Sequence, residues 1–217
     1  WLVQHFRGLT WDNTKLHDAS PFRIVDPGFN AILIRACSDL ADLAEAIGEK
    51  EIATKNRARA QKGIAALEKL WSDKHGQYLC LDRVTGKLVD SASYGGLMPV
   101  FANVPKARAA AIAKRIEALA QPPVRFIVPS HDPHDPRFDA RRYWRGPIWL
   151  VINYMIADGL RRAGETATAD KIVKSSLDLI EQGGFAEYYD PLDGTPLGGD
   201  RFTWTAAMVL EFLRLKS

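Results

Sequence analysis

The sequence predicts an all-α fold made of helical hairpins joined in series, and three observations carry that prediction. Apolar residues recur at spacings of three and four over several long stretches, Gly-Glu corners divide those stretches into pairs, and no succession of strands suited to a parallel sheet lies between them. So many hairpins in series favour an α/α toroid over a four-helix bundle.

The first long helix starts at Asp26-Pro27-Gly28. Phe29, Ile32, Leu33, Ala36, Leu40, Leu43, Ala44 and Ile47 give it one stripe, which is expected to be buried. Asp26 is placed to cap it, Pro27 suits its first turn, and Gly48 suits its end. A second helix follows at roughly 50–72, with Ala53, Ala60, Ile64, Leu67 and Trp71 on one face, so the two form an antiparallel hairpin. A compact apolar stretch at 94–101 then leads into a short Ala-rich helix at about 104–120. The hairpin recurs with Ile152, Ile156 and Leu160, a corner at Gly164-Glu165 that matches Gly48-Glu49, and a return helix marked by Ala169, Ile172, Val173, Leu177 and Ile180. A last helix is expected at 203–215. After each long hairpin comes a short extended excursion, at 77–86 and 186–194, with an Asp four residues before a Gly: Asp82 and Gly86, Asp190 and Gly194. Helix, helix, small β-excursion is thus a weak internal repeat.

Composition narrows the functional classes. With 217 residues, 47% hydrophobic, 25% charged and a net charge of +3, disordered, collagen-like and coiled-coil chains are excluded. The length favours one domain, 1–217, or one large piece of a bigger one. The 29 basic and 26 acidic residues are interspersed, so neither a nucleic acid nor a membrane surface is expected as partner. No run approaches a membrane span, and the chain reads as soluble. Cys37 and Cys80 are the only cysteines, and neither sits in a metal-ligand pattern, so no metal or cofactor is expected. The start, Trp-Leu-Val-Gln-His, has no initiator Met and no signal pattern, so the chain is expected to be the C-terminal portion of a longer polypeptide.

Two segments stand out as candidate chemistry. Arg141-Arg-Tyr-Trp-Arg-Gly-Pro-Ile-Trp149 packs two Trp, a Tyr and three Arg around Gly-Pro at a helix start. Gly183-Gly-Phe-Ala-Glu187-Tyr-Tyr-Asp-Pro191 places one carboxylate among aromatics just after a helix ends. Aromatic faces beside Arg and carboxylate suit a sugar, whose C–H face packs on a ring while its hydroxyls take charge-assisted hydrogen bonds. Arg145 suits a hydroxyl or a carboxylate of the ligand. Each residue also has a plainer role open to it. Trp149 fits the core of the following helix as well as a sugar platform, Trp204 fits a structural place at the last helix, and Arg141 and Arg142 fit loop anchoring. Glu187 fits a turn or an ion pair unless aromatic walls make it a base. Residues 130–136, with His131, Asp132, His134 and Asp135 among prolines, suit a loop over a cleft better than a metal site. Asp12 suits a helix cap better than an acid.

Taken in order, Asp26-Pro-Gly-Phe-Asn-Ala-Ile-Leu33, Tyr143-Trp-Arg-Gly-Pro-Ile-Trp149 with Asn153-Tyr154, Gly184-Phe-Ala-Glu187-Tyr-Tyr-Asp-Pro-Leu-Asp-Gly194 and Phe202-Thr-Trp-Thr-Ala-Ala207 resemble the C-terminal half of the catalytic domain of glycoside hydrolase family 63. That family includes processing α-glucosidases and bacterial mannosylglycerate and glucosylglycerate hydrolases. The resemblance implies an (α/α)6 barrel and inverting hydrolysis of an α-glycosidic bond, with a saccharide substrate. It makes Glu187 the general base and Tyr143, Trp144 and Trp149 lining of the sugar pocket. Arg145 and Gly146 sit in the same signature, and Tyr188 and Trp204 are carried over as substrate-binding positions. One departure matters. The family's acid lies in an Asp-Asn-Ser-Pro-like segment well upstream of the Phe-Asn-Ala-Ile-Leu helix, whereas Asp12-Asn13-Thr14-Lys15 keeps two of those letters and lies only about a dozen residues before it. The acid is therefore expected before Trp1. A full barrel needs twelve helices against the roughly seven found here, so the expected partner is the missing N-terminal half of the same polypeptide. Two other classes stay open: a carbohydrate-binding or degenerate α/α scaffold, and a helical-repeat interaction domain whose Trp residues are packing.

Overall fold

The computed structural model describes residues 1–216. Two short helices that periodicity did not reveal open the chain, α1 (Leu2–Gly8) and α2 (Asn13–Ala19). Asp12 caps α2, its Oδ1 accepting from the Lys15 N–H at 2.9 Å. After β1 (Ile24–Val25) comes α3 (Pro27–Ala46), capped by Asp26, whose Oδ1 accepts from the Phe29 N–H at 2.7 Å.

The chain turns at Gly48 into α4 (Lys50–Leu67). This helix ends in a tight 68–70 turn, so Trp71 lies in β2 (Trp71–Ser72), paired with β3 (Gln77–Tyr78). β4 (Leu81–Asp82) and β5 (Lys87–Leu88) join β1 in a three-stranded sheet ordered β1-β4-β5. The apolar 94–101 stretch forms two 3-10 turns, and α5 (Lys106–Leu119) follows. Then come α6 (Leu150–Ala163), α7 (Thr166–Gly183), the hairpin β6 (Tyr188–Tyr189) and β7 (Pro196–Leu197), and α8 (Thr203–Lys216).

The internal repeat extends to individual hydrogen bonds. At the first corner the Gly48 N–H donates to Glu45 O and the Glu49 N–H to Ala44 O. At the second, Gly164 donates to Arg161 O and Glu165 to Leu160 O. Both glycines are left-handed, at φ +85° and +96°, the usual end of a helix that must reverse. In the excursions, Gly86 N–H donates to Asp82 O (2.8 Å) and Gly194 N–H to Asp190 O (3.0 Å).

These units build a two-layer arc. One layer runs from α3 through the 98–102 turn to α6 and α8. α4 backs α3, α7 backs α6 and α8, and α5 closes on α6, α7 and the turn. Between the layers, Leu67, Leu97, Ile112, Ile116, Ile156 and Ile172 are fully buried. No described helix is long and apolar enough to cross a membrane.

The expected buried stripe of α3 is corrected. Its buried face is Ala31, Ile34, Ala41 and Ala44, whereas Phe29 (79%), Leu33, Leu43 and Ile47 (69%) are exposed, with Ile32 and Leu40 partly so. Close approach of α4 selects the small residues: a Cβ on Gly63 would stand 2.5 Å from Ile34 Cγ1. At the other end of the arc α8 also exposes apolar side chains, Trp204, Leu210 and Leu213. Both helices thus show several exposed apolar side chains, a feature that often marks a contact surface.

The tightest seam inside the arc is α6 against the 98–102 turn. A Cβ on Gly159 would lie 2.5 Å from the Val100 carbonyl carbon and 2.6 Å from the Phe101 nitrogen, and backbone cannot step aside as a side chain can. Gly159→Ala is expected to cost about 1–3 kcal/mol or more, read as a lowered urea midpoint with an unchanged denaturant slope.

Candidate active site

The two aromatic segments meet through the backbone. Ile148 and Tyr189 form an antiparallel bridge, with N–H to O distances of 2.8 and 3.1 Å. Tyr189 is fully buried, its hydroxyl donating to Gly184 O and accepting from the Ala186 N–H, and burial pushes its pKa up to about 12. This bridge sets Glu187 and Tyr188 beside Tyr143 and Trp149.

Four rings then pack as one unit. Trp144, Trp149 and Tyr188 stack in that order, with centroids 3.8 and 5.1 Å apart and planes 17° and 22° from parallel. Tyr143 stands edge-on to all three at 4.9–5.4 Å. Its hydroxyl donates to Glu187 Oε1 at 2.9 Å, and that bond raises the Tyr143 pKa above its ordinary value. The other carboxylate oxygen, Oε2, accepts from the Gly199 N–H at 3.3 Å, while the Glu187 N–H donates to Gly199 O at 2.9 Å. Glu187 is half-buried, at the rim of the stack.

The other expected site residues fall into place differently. Trp149 is only 3% exposed, both faces covered by Trp144 and Tyr188, and its Nε1–H donates to Tyr143 O at 3.0 Å. It backs the stack, and the exposed rings beside it are Tyr143 (46%) and Trp144 (42%). Arg145 is exposed, with Nε on Arg137 O (3.1 Å) and its own carbonyl accepting from the Asp139 N–H. Gly146 is buried, its N–H on Ser130 Oγ at 3.0 Å. Trp204 stands outside the four-ring unit, tilted against Phe202 at 5.6 Å. Arg141 anchors the loop as its neighbours suggested, pairing with Asp190 (2.9 Å) and Asp193 (3.2 Å).

Residues 130–136 form a spacer rather than a flap over a cleft. Ser130 O and Ala92 O accept from the Tyr94 and Asp132 N–H groups, Ser130 Oγ takes the Gly146 N–H, and Asp132 pairs with Arg115. This ties the Tyr94 segment to the Tyr143 segment and brings Tyr94 against Trp144 at 5.8 Å. Among the described residues no three metal-capable side chains come together.

Several contributors escaped the sequence reading. Gly198 (φ +75°) lies so close to the carboxylate that a Cβ there would be 2.5 Å from Glu187 Oε2. Thr205, buried at the start of α8, donates to Ala186 O at 2.6 Å and pins the strand before Glu187. The signal available was the Gly198-Gly199 pair just after the return strand, beside a lone glutamate. A cavity of ≈380 Å³ also opens beside Trp144, lined by Asp26, Phe29, Ile32, Ser93, Tyr94 and Ile152. Two larger hollows, ≈500 and ≈770 Å³, run along the charged outer side of α7 and contain none of the four rings. Of the three, only the first touches the aromatic stack, through Trp144.

Comparison with known proteins gives the family of the chain. The profile of the mannosylglycerate hydrolase MGH1-like glycoside hydrolase domain matches residues 1–205. Mannosylglycerate hydrolase MGH1 of Selaginella moellendorffii is 39% identical over 212 residues, which is 98% of this chain and 43% of that protein. The mannosylglycerate hydrolase of Thermus thermophilus is 39% identical over 214 residues, 98% of this chain and 51% of that one. The crystal structure of a GH63 mannosylglycerate hydrolase from Thermus thermophilus in complex with glucose superposes with a TM-score of 0.92 over 98% of this chain and 54% of its own, at 39% identity. The chain thus spans about half the length of the relatives it matches, and its arc is part of an (α/α)6-barrel-type fold. A matching profile over nearly the whole chain, relatives at 39% identity and a shared backbone place this chain in the MGH1-like mannosylglycerate hydrolase family of glycoside hydrolases, within family 63.

Proposed function

We propose that this chain is the C-terminal half of the catalytic domain of an inverting α-glycosidase acting on an α-mannosyl- or α-glucosyl-glycerate or a related α-glucoside, with Glu187 as general base. The observation that carries this reading is a half-buried carboxylate held at both oxygens on the rim of an aromatic stack. The exposed ring of Trp144 offers a surface for the C–H face of a sugar, with Tyr143 and Tyr188 beside it. Glu187 takes a proton from a water as that water attacks the anomeric carbon. An acid on the opposite face protonates the departing oxygen, and the anomeric configuration inverts. Such an acid stands about 6.5–9.5 Å from the base, leaving room for the water.

The acid is assigned to the part of the polypeptide outside residues 1–217. Asp12 and Asp26, the carboxylates nearest to family-like segments, each accept a backbone N–H as helix caps, and Asp26 also accepts from Cys80 Sγ at 3.4 Å. These are acceptor roles, opposite to that of a proton donor. The apolar faces of α3 and α8 at the two ends of the arc suit the remaining helices of the same ring. That the Thermus relative has been crystallised with glucose supports a sugar ligand.

Tests use the full-length polypeptide that carries this chain, screened first on α-mannosyl- and α-glucosyl-glycerates and simple α-glucosides. Glu187→Gln is expected to lower kcat by roughly a thousandfold or more with substrate affinity kept. Proton NMR of the wild-type reaction should show the β-anomer of the released sugar first. Near-normal turnover in Glu187→Gln removes the base role, and an α-anomer as first product removes inversion. Gly198→Ala, which drives a methyl into Glu187 Oε2, is expected to lower kcat about a hundredfold while KM moves little, measured by steady-state kinetics.

A further inference from the structure

We infer that Tyr143 is a positioning residue for Glu187: its hydroxyl, wedged in place by three neighbouring rings, aims one carboxylate oxygen and leaves the other lone pairs free for the attacking water. The inference rests on Glu187 being the base and adds what makes it an effective one.

The placement of Tyr143 is over-determined. Its backbone is left-handed, φ +41°, a conformation that non-glycine residues seldom adopt and that persists only where surroundings enforce it. Here the enforcement is visible. Trp144, Trp149 and Tyr188 meet its ring edge-on, and its carbonyl accepts the Trp149 Nε1–H. With three ring contacts and the carbonyl held, the phenolic oxygen points at Glu187 Oε1, 2.9 Å away, although the residue itself is 46% exposed. Gly199, just after β7, holds Oε2 at 3.3 Å. A ring that served only as a sugar platform would not require its hydroxyl to be directed at the carboxylate.

The bond has a chemical consequence. A carboxylate has two lone pairs on each oxygen, so one bond from Tyr143 and one from Gly199 leave acceptor sites for a water proton. A donor to the ionised carboxylate stabilises that form. The phenol in turn stays protonated, since the neighbouring carboxylate raises its pKa, and it therefore remains a donor throughout the neutral range. Loss of the hydroxyl should then leave Oε1 without its side-chain donor and the carboxylate less well aimed at the water.

The test is Tyr143→Phe in the full-length enzyme, which keeps the ring and its edge contacts. Expected are a kcat about tenfold lower and KM within about twofold, with near-UV circular dichroism unchanged. Tyr143→4-aminophenylalanine, which keeps the ring and a weaker donor at the same place, should give a kcat between those of the wild type and Tyr143→Phe, and it stands as the readout if Tyr143→Phe fails to fold. In a Glu187→Gln background Tyr143→Phe should have no further effect on kcat. A raised KM with unchanged kcat would mean that the hydroxyl serves the sugar and would overturn the inference, as would an unchanged kcat in both variants. If Glu187→Gln itself retains turnover, the base reading fails first; if that variant is inactive and the Tyr143 variants turn over like wild type, only the positioning role fails.

Discussion

Two backbone hydrogen bonds between Ile148 and Tyr189 are the constraint on which the rest of the site depends. They join the segment before α6 to the strand after α7, elements some 40 residues apart, and so bring every aromatic ring of the stack within reach of Glu187. Both residues are completely buried, which shields the pair from competition by water. Around it the supports are successive. Tyr189 closes its own turn through its hydroxyl, Arg141 clamps Asp190 just beyond, and Thr205 fixes Ala186 just before. A single bridge, held on three sides, thereby places a carboxylate that immediately precedes a two-residue strand.

Much of the helical plan was legible because periodicity and caps point the same way. Asp26, Pro27 and Gly48 bound α3 where expected, and the Gly-Glu corners repeat down to their hydrogen bonds. Which face of α3 is buried was not legible. The helix carries two apolar stripes, one of large residues and one mostly of Ala, and hydrophobicity alone favours the larger. Close helix packing instead selects the small one, since Gly63 and Ala60 on α4 let the backbones approach. α1 and α2 went unseen because each spans seven residues, too few for a period to register.

In the site, residue types were readable and their order was not. Sequence showed a Tyr, two Trp and a further Tyr near a glutamate, with no means of telling which ring lies inside. The structure sandwiches Trp149 and exposes Trp144, a difference decided by Tyr188 arriving from another part of the chain. Gly198 and Gly199 were overlooked for a related reason: their contribution is backbone proximity, which leaves no chemical signature in a side chain.

The repeated corners have a practical bearing. α6 is 14 residues long and begins at the aromatic stack, so at 1.5 Å per residue Gly164 lies about 21 Å from that stack. At Gly48 and Gly164 alike, the space where a side chain would project is empty. A tether, fluorophore-bearing loop or surface anchor inserted between Gly164 and Glu165 would therefore leave from the end of α6 far from the four rings. The fold thus supplies its own attachment point for immobilised or single-molecule work, one helix length away from the aromatic stack.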